Sequence, residues 1–205
     1  NRTDIIHISN QYIMPTTLES PIKRYTADEY FELEKSSDIK HEFVNGQIIA
    51  MPGESKIANK IAGKCYIALN SLLDNTNYEV FSHDVRLQVK EKNIYRYPDV
   101  AVCMAGDGDT HNILSPILLV EVVSPSSEIT DRSAKVREYC SLPTLQYYII
   151  VSQDDYVVEL YSRADSGQWL YSFYLQLTDL LPLPLWSIEL PLQTIYNGIE
   201  FGDAA

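Results

Sequence analysis

Cysteine is scarce in this chain, and what there is does not pair. Cys65, Cys103 and Cys140 are the three in 205 residues; they are odd in number, lie in apolar contexts and form no C-x-x-C pair, which argues against both a disulfide framework and a thiolate zinc site. They read as small core residues. No apolar run approaches the ~18 residues of a membrane span, and no basic region followed by an apolar block opens the chain. A cytoplasmic protein with no membrane partner is expected. Positive charge is also short: 16 Lys and Arg stand against 28 Asp and Glu, a net charge of −12. Nucleic-acid binders usually carry a basic surface, so any such binding here has to rest on a local field, with bound cations cancelling part of the negative charge, and to be weak and salt-dependent. His83 and His111 are isolated, without a second His at ligand spacing, and neither suggests zinc.

Apolar content, at 45%, is ample and excludes a disordered chain. Residues 1–24 have no clear periodicity and read as an N-terminal arm, in which Met14 is a candidate start; residues 25–205 read as one domain, long enough to bury about 70% of its unfolded surface. No repeat or low-complexity stretch interrupts it.

Two β-branched runs in that domain each carry one carboxylate. Asp99 stands just ahead of Val100-Ala101-Val102, and Glu121 sits inside Leu118-Leu119-Val120-Glu121-Val122-Val123. Side chains alternate across a strand, so each carboxylate would sit on a backbone pinned by a sheet. Taken singly, an Asp beside Pro98 is ordinarily a turn residue, and a lone Glu in an apolar run can face solvent. Together they weigh more, because a Glu in a strand covered on both faces costs roughly several kcal/mol unless a cation or donor compensates.

The flanking segments have their own signals. Thr26 with Glu29 is a capping box, predicting a helix over 27–35 with Tyr30, Phe31 and Leu33 as its apolar contacts. Asn45-Gly46 between residues 40–44 and 47–51 is the strongest short hairpin signal, and Glu42 lies on its first strand. Residues 55–74 form the clearest helix, with Ile57, Ile61, Cys65, Ala68 and Leu72 at helical spacing and Lys56, Lys60 and Lys64 along one face. Such a lysine stripe is ordinarily a solvated face, but in so acidic a chain it is the best candidate for phosphate contact. Residues 78–90 and 93–103 read as two strands joined by a turn at 91–93, residues 106–112 as a mobile polar loop, and 145–151 with 156–163 as a hairpin followed by a strand over 169–177. After Thr130, a plausible N-cap, a helix runs to Cys140, in which Lys135 is most simply the exposed partner of Asp131. Pro182, Pro184 and Pro191 make 180–192 an irregular segment expected to lie across another surface, as a lid or subunit contact.

The ordered series Pro98-Asp99, Glu121-Val122-Val123-Ser124-Pro125-Ser126 and Asp131-Arg132-Ser133-Ala134-Lys135-Val136-Arg137-Glu138-Tyr139 resembles the Uma-type restriction-endonuclease family, abundant in cyanobacteria and part of the PD-(D/E)XK nuclease superfamily. The likeness runs from Tyr25 through Glu42-Phe43-Val44-Asn45-Gly46 and Asp84-Val85-Arg86-Leu87 to Ile195-Tyr196. It implies an α/β fold, a restriction-endonuclease-like mixed central sheet flanked by helices, with extra C-terminal strands. It implies a metal-dependent endonuclease acting on nucleic acid, with DNA the expected substrate and a homodimer the expected assembly. Asp99, Glu121 and the Val122 backbone carbonyl would hold Mg²⁺ or Mn²⁺, with Glu42 a further candidate ligand, and Lys135 would replace the superfamily's strand lysine, whose position is Val123. The chain departs from the family at Ala58, where a His is common, and at Tyr147 and Ser152, where Glu and Asp are common. Two alternatives follow: a catalytically degenerate nuclease fold acting as a dimeric DNA-binding or interaction module, and a glycosidase-type carboxylate pair. Metal dependence separates them.

Overall fold

Local signals set the first elements. The structure, a computed structural model, describes residues 23–91, 93–123 and 131–201, with Asp131 described by its backbone alone. Helix α1 (Ala27–Ser36) opens on the expected capping box, the Thr26 amide donating to Glu29 at 2.7 Å and the Glu29 amide to the Thr26 hydroxyl at 3.2 Å. Strands β1 (His41–Val44) and β2 (Gln47–Ala50) pair antiparallel about Asn45 and Gly46, whose φ values of 50° and 86° supply the left-handed turn that a two-residue hairpin needs. The expected arm falls on residues 1–22, outside the described residues, apart from Lys23 and Arg24; Arg24 lies on this hairpin, donating to the Asn45 carbonyl at 2.7 Å.

Helix α2 (Lys56–Leu72) is N-capped by Ser55. Its buried stripe is Ala58, Ile61, Ala62, Cys65, Ala68 and Leu69, whereas Ile57 and Leu72, expected inside, are 40% and 41% exposed. Three of the six buried positions are alanines, at 58, 62 and 68. The lysines of the stripe keep to the outer side: Lys56 and Lys60 are exposed and Lys64 is half-buried.

The two long strands expected at 78–90 and 93–103 both break. The first divides into β3 (Tyr78–Ser82) and β4 (Arg86–Lys90), the second into β5 (Ile94–Arg96) and β6 (Val100–Met104). Between the pieces the chain turns a corner from one sheet into another: β4 and β5 join a five-stranded sheet of order β2-β1-β5-β4-β7, with β7 at Asn112–Ile113, while β3 and β6 join a six-stranded sheet. The causes are local. Pro98 has no N–H for a ladder, His83 takes a left-handed φ of 52°, and the His83 amide donates to the Asp99 carbonyl at 3.1 Å, tying one break to the other. Of the expected turn at 91–93, Lys92 lies outside the described residues.

The six-stranded sheet has the order β11-β10-β9-β8-β6-β3, with β8 at Pro116–Val123, β9 at Tyr147–Ser152, β10 at Val158–Arg163 and β11 at Trp169–Tyr174. Strands β8 and β9 pair in parallel, so a crossover must join them. Its described part is a π-helical turn, Asp131–Lys135, running into α3 (Val136–Cys140); Ser124, Pro125, Ser126 and the expected N-cap Thr130 lie outside the described residues. One face of the sheet, with Val100, Val102, Leu118 and Val120, packs on Ile61, Cys65 and Leu69 of α2. The other, with Ala101, Leu119 and Val123, packs on Leu87, Ile113 and Tyr139.

The polar loop at 106–112 is tied down rather than loose. Asp109 accepts the amides of His111 and Asn112, Asp107 accepts those of Leu114 and Ser115, and a Cβ at Gly108, φ +73°, would lie 1.9 Å from the Asn112 carbonyl oxygen. The proline-rich segment is more regular than expected. Strand β12 (Leu180–Leu183) and strand β13 (Ile188–Pro191) form a two-stranded hairpin around a short 3₁₀ turn, Pro184–Trp186, and lead into α4 (Leu192–Tyr196). Prolines fit there because both strands are edges. The segment does lie across another surface: Leu181, Leu183, Leu190 and Leu192 close the core over α2.

Candidate active site

The end of β8 and the corner ahead of β6 meet. Continuing the β6/β8 register one step past Val100↔Val120 brings Asp99 level with Glu121, and the Asp99 Oδ2 accepts the Val122 amide at 2.6 Å. Asp99 thus takes up a backbone donor of the strand that carries the other carboxylate, although it belongs to a turn. Removal from water pushes its carboxyl up to about 6, against the opposing pull of the Val122 amide and of Lys135 and with a further push from Glu54.

Glu121 is 4% exposed, in line with Leu119 and Val123 on the face that α3 covers. Its Oε1 lies 3.0 Å from the Lys135 Nζ and accepts the Tyr139 hydroxyl at 2.8 Å. Lys135 is itself buried and reaches the Glu42 Oε1 at 3.7 Å. Lys135 is not exposed as expected but buried, facing two carboxylates; the expected pairing with Asp131 involves a side chain outside what is described. Burial and the Glu121 charge together raise the Tyr139 phenol well above its ordinary value, so it stays a neutral donor.

Glu42 does not face solvent. It bonds Arg96 on β5, whose guanidinium also grips both oxygens of Glu138 on α3 at 2.9 Å each. Burial works against the Arg96 charge, but Glu138 and Glu42 more than offset it and hold the guanidinium above its usual value. Glu42, Glu121 and Glu138 against Arg96 and Lys135 leave one negative charge in excess within this group. Asp99 adds another nearby. An oxygen-rich, net-negative group with its backbones fixed by strands has the donor chemistry that Mg²⁺ or Mn²⁺ selects.

A further cluster lies at the corner. Glu54, His83 and Asp99 bring one potential ligand atom each within 4.8 Å of one another, and the His83 Nδ1 is 3.1 Å from the Glu54 Oε1. Sequence reasoning passed over His83 because its partners are a loop Glu and a turn Asp rather than a second His at regular spacing. Of the lysine stripe, Lys56 borders the same cleft as Glu54, His83 and Asp84, whereas Lys64 lines a groove at the far end with Leu190 and Pro191.

Comparison with known proteins gives the family and the fold. Residues 27–193 match the Uma2 family, described as "Putative restriction endonuclease". An uncharacterised protein of Synechocystis sp., slr1290, is 35% identical over 184 residues, covering 89% of this chain and 96% of its own length. Another from that organism, sll1609, is 34% identical over 152 residues, covering 72% and 86%. A crystal structure described as "a putative nuclease belonging to DUF820", from Anabaena variabilis, superposes with a TM-score of 0.69 over 84% of this chain and 97% of that one, at 18% identity, a likeness of fold. The fold is therefore the restriction-endonuclease-like α/β arrangement, a mixed sheet flanked by helices with extra C-terminal strands. With the matched region reaching from α1 past β13 and two relatives aligned along most of their length, this chain belongs to the Uma2 family.

Proposed function

We propose that residues 25–205 act as one cation-dependent endonuclease domain that hydrolyses the phosphodiester bonds of DNA, with Asp99, Glu121 and Lys135 as its working groups. The observation that carries this reading is the meeting of Lys135 with Glu121 at 3.0 Å while Asp99 is held on the adjoining Val122 amide. Asp99, Glu121 and the Val122 carbonyl would hold Mg²⁺ or Mn²⁺, with Glu42 a further candidate, and they are hard oxygen donors suited to either ion. The bound ion would lower the pKa of a water and offset charge developing on the phosphoryl oxygens.

In hydrolysis a water oxygen bonds to phosphorus, one P–O ester bond breaks, and a proton passes from the water to the departing oxygen by way of solvent or a side chain. Lys135, anchored on Glu121 and Glu42, would donate to the water or to a non-bridging phosphate oxygen. Arg96 and Tyr139 would hold Glu42 and Glu121 in place. Lys56, Lys60 and Lys64 would meet backbone phosphates, Lys56 next to the cleft. The reading extends to a homodimer, which suits paired nicks in a duplex, and to the cytoplasm; no helix among the described residues is long and apolar enough to cross a membrane.

The test is nicking of supercoiled plasmid in Mg²⁺ or Mn²⁺ by the parent, Asp99→Asn and Glu121→Gln. The parent should nick, and each variant should lose about 100-fold or more. A parent inactive on DNA with either ion, or variants as active as the parent, would leave the degenerate interaction module as the better account.

A further inference from the structure

We infer that Glu54, His83 and Asp99 form a cation position of their own, which shares Asp99 with the site proposed above and which, through its imidazole, favours Mn²⁺ or Co²⁺ over Mg²⁺. The inference rests on the nuclease reading only in that Asp99 is common to both, and its readout is binding rather than turnover.

Three separate parts of the chain supply the ligands. Glu54 lies just ahead of the Ser55 cap of α2, His83 occupies the break between β3 and β4, and Asp99 the break between β5 and β6. The hydrogen bond from the His83 amide to the Asp99 carbonyl fixes two of them relative to each other. Opposite ligands about an ion with bonds of about 2.2 Å stand about 4.4 Å apart, so atoms already within 4.8 Å need only small side-chain shifts.

Asp99 has an oxygen to offer. Its Oδ2 takes the Val122 amide, and among the described residues its other oxygen accepts no hydrogen bond. Glu121, by contrast, already faces the Lys135 ammonium and the Tyr139 hydroxyl. A cavity of about 230 Å³, bordered by Lys40, Pro52, Glu54, His83, Asp84 and Asp99, gives an ion and its waters room at that carboxylate, with the three carboxylates there outweighing the one ammonium. Two carboxylates balance a divalent charge, and an imidazole nitrogen suits Mn²⁺ or Co²⁺ better than the strongly oxygen-seeking Mg²⁺.

The experiment titrates the metal-free 205-residue chain with Mn²⁺, Co²⁺ and Mg²⁺ by calorimetry, following Co²⁺ also by its visible absorption. Parent, His83→Asn and Glu121→Gln are compared; Asn is chosen because it tolerates the left-handed φ at 83. The expected result is a loss of at least tenfold in Mn²⁺ and Co²⁺ affinity for His83→Asn, with Mg²⁺ affinity changed less than threefold, and retention of the His83-dependent Co²⁺ spectrum in Glu121→Gln. Equal Mn²⁺ and Co²⁺ affinities in parent and His83→Asn overturn the inference. Should His83→Asn melt early, the exposed Glu54→Gln decides in the same way. If Asp99→Asn abolishes nicking while His83→Asn binds every ion normally, this inference fails and the nuclease reading stands. If His83→Asn loses Mn²⁺ while the parent never nicks, the nuclease reading fails and the cation position stands.

Discussion

Lys135 meets Glu121 across the gap between a crossover and a strand, its Nζ 3.0 Å from the same Oε1 that accepts the Tyr139 hydroxyl. Both groups are nearly closed to water, 7% and 4% exposed. A pair so placed is expensive to break, because removing one partner strands the other's charge.

Lys135→Ala should therefore lower metal-free stability by about 3 kcal/mol and abolish nicking, yet keep the rise in melting temperature that Mg²⁺ or Mn²⁺ produces. Scanning calorimetry with and without the ion, beside a nicking assay, checks it. Loss of the metal response together with activity would make Lys135 part of the ion's support rather than a group acting on water or phosphate.

Asp99 carries a pH signature. Its carboxyl titrates near 6 in the fold against an ordinary 3.8, so its stabilising contribution is complete below the ordinary value and is lost as pH rises through about 6. At pH 7.5, without metal, Asp99→Asn should melt several degrees above the parent. At pH 4 the two should converge, and saturating Mg²⁺ should remove the parent's deficit at pH 7.5. Parallel melting curves for parent and variant across this range would show that Asp99 bears no such cost.

Arg96 holds two carboxylates from opposite sides of the site. Arg96→Met should cost about 3 kcal/mol in urea unfolding, since buried Glu42 and half-buried Glu138 would be left with too little positive charge. Adding Glu138→Gln should recover part of that loss. No recovery would mean that shape, not charge, makes Arg96 important.

Replacing Lys56, Lys60 and Lys64 by Gln should weaken DNA binding across unrelated sequences and flatten its salt dependence by about one unit per lost phosphate contact. Lys56→Gln alone should do more than Lys64→Gln, because Lys56 borders the cleft and Lys64 lines a groove at the other end of α2. An unchanged salt slope would return the stripe to an ordinary solvated face.

Much of this fold was legible from residue order. Thr26/Glu29, Asn45-Gly46 and the run at 118–123 carry their geometry in neighbouring residues, so the helix, the hairpin and the buried strand could be read directly. The shared corner could not. Breaking both long strands depends on Pro98 lacking a donor, on His83 adopting a left-handed φ and on a bond between the two breaks, and that bond exists only after the sheets form. The partnership of Arg96 with Glu42 and Glu138 was missed for the same reason: each is an ordinary charged residue in sequence, and only the fold makes them neighbours. Lys135 was the reverse case. Local spacing offered only Asp131 as its partner and an exposed position, whereas the fold buries it beside Glu121.

The parallel pairing of β8 with β9 has a consequence for how such a site can change over generations. A parallel pair obliges the chain to travel back across one face of the sheet before the second strand begins. Here that path brings Lys135 and Tyr139 onto Glu121 near the end of β8, whereas Thr144, further along it, reaches the Pro116 carbonyl at the strand's beginning. On the function proposed above, a lysine on the first part of the return path can stand in for one on the strand itself, so fixed spacing from Glu121 is a poor guide to the working lysine of such a site.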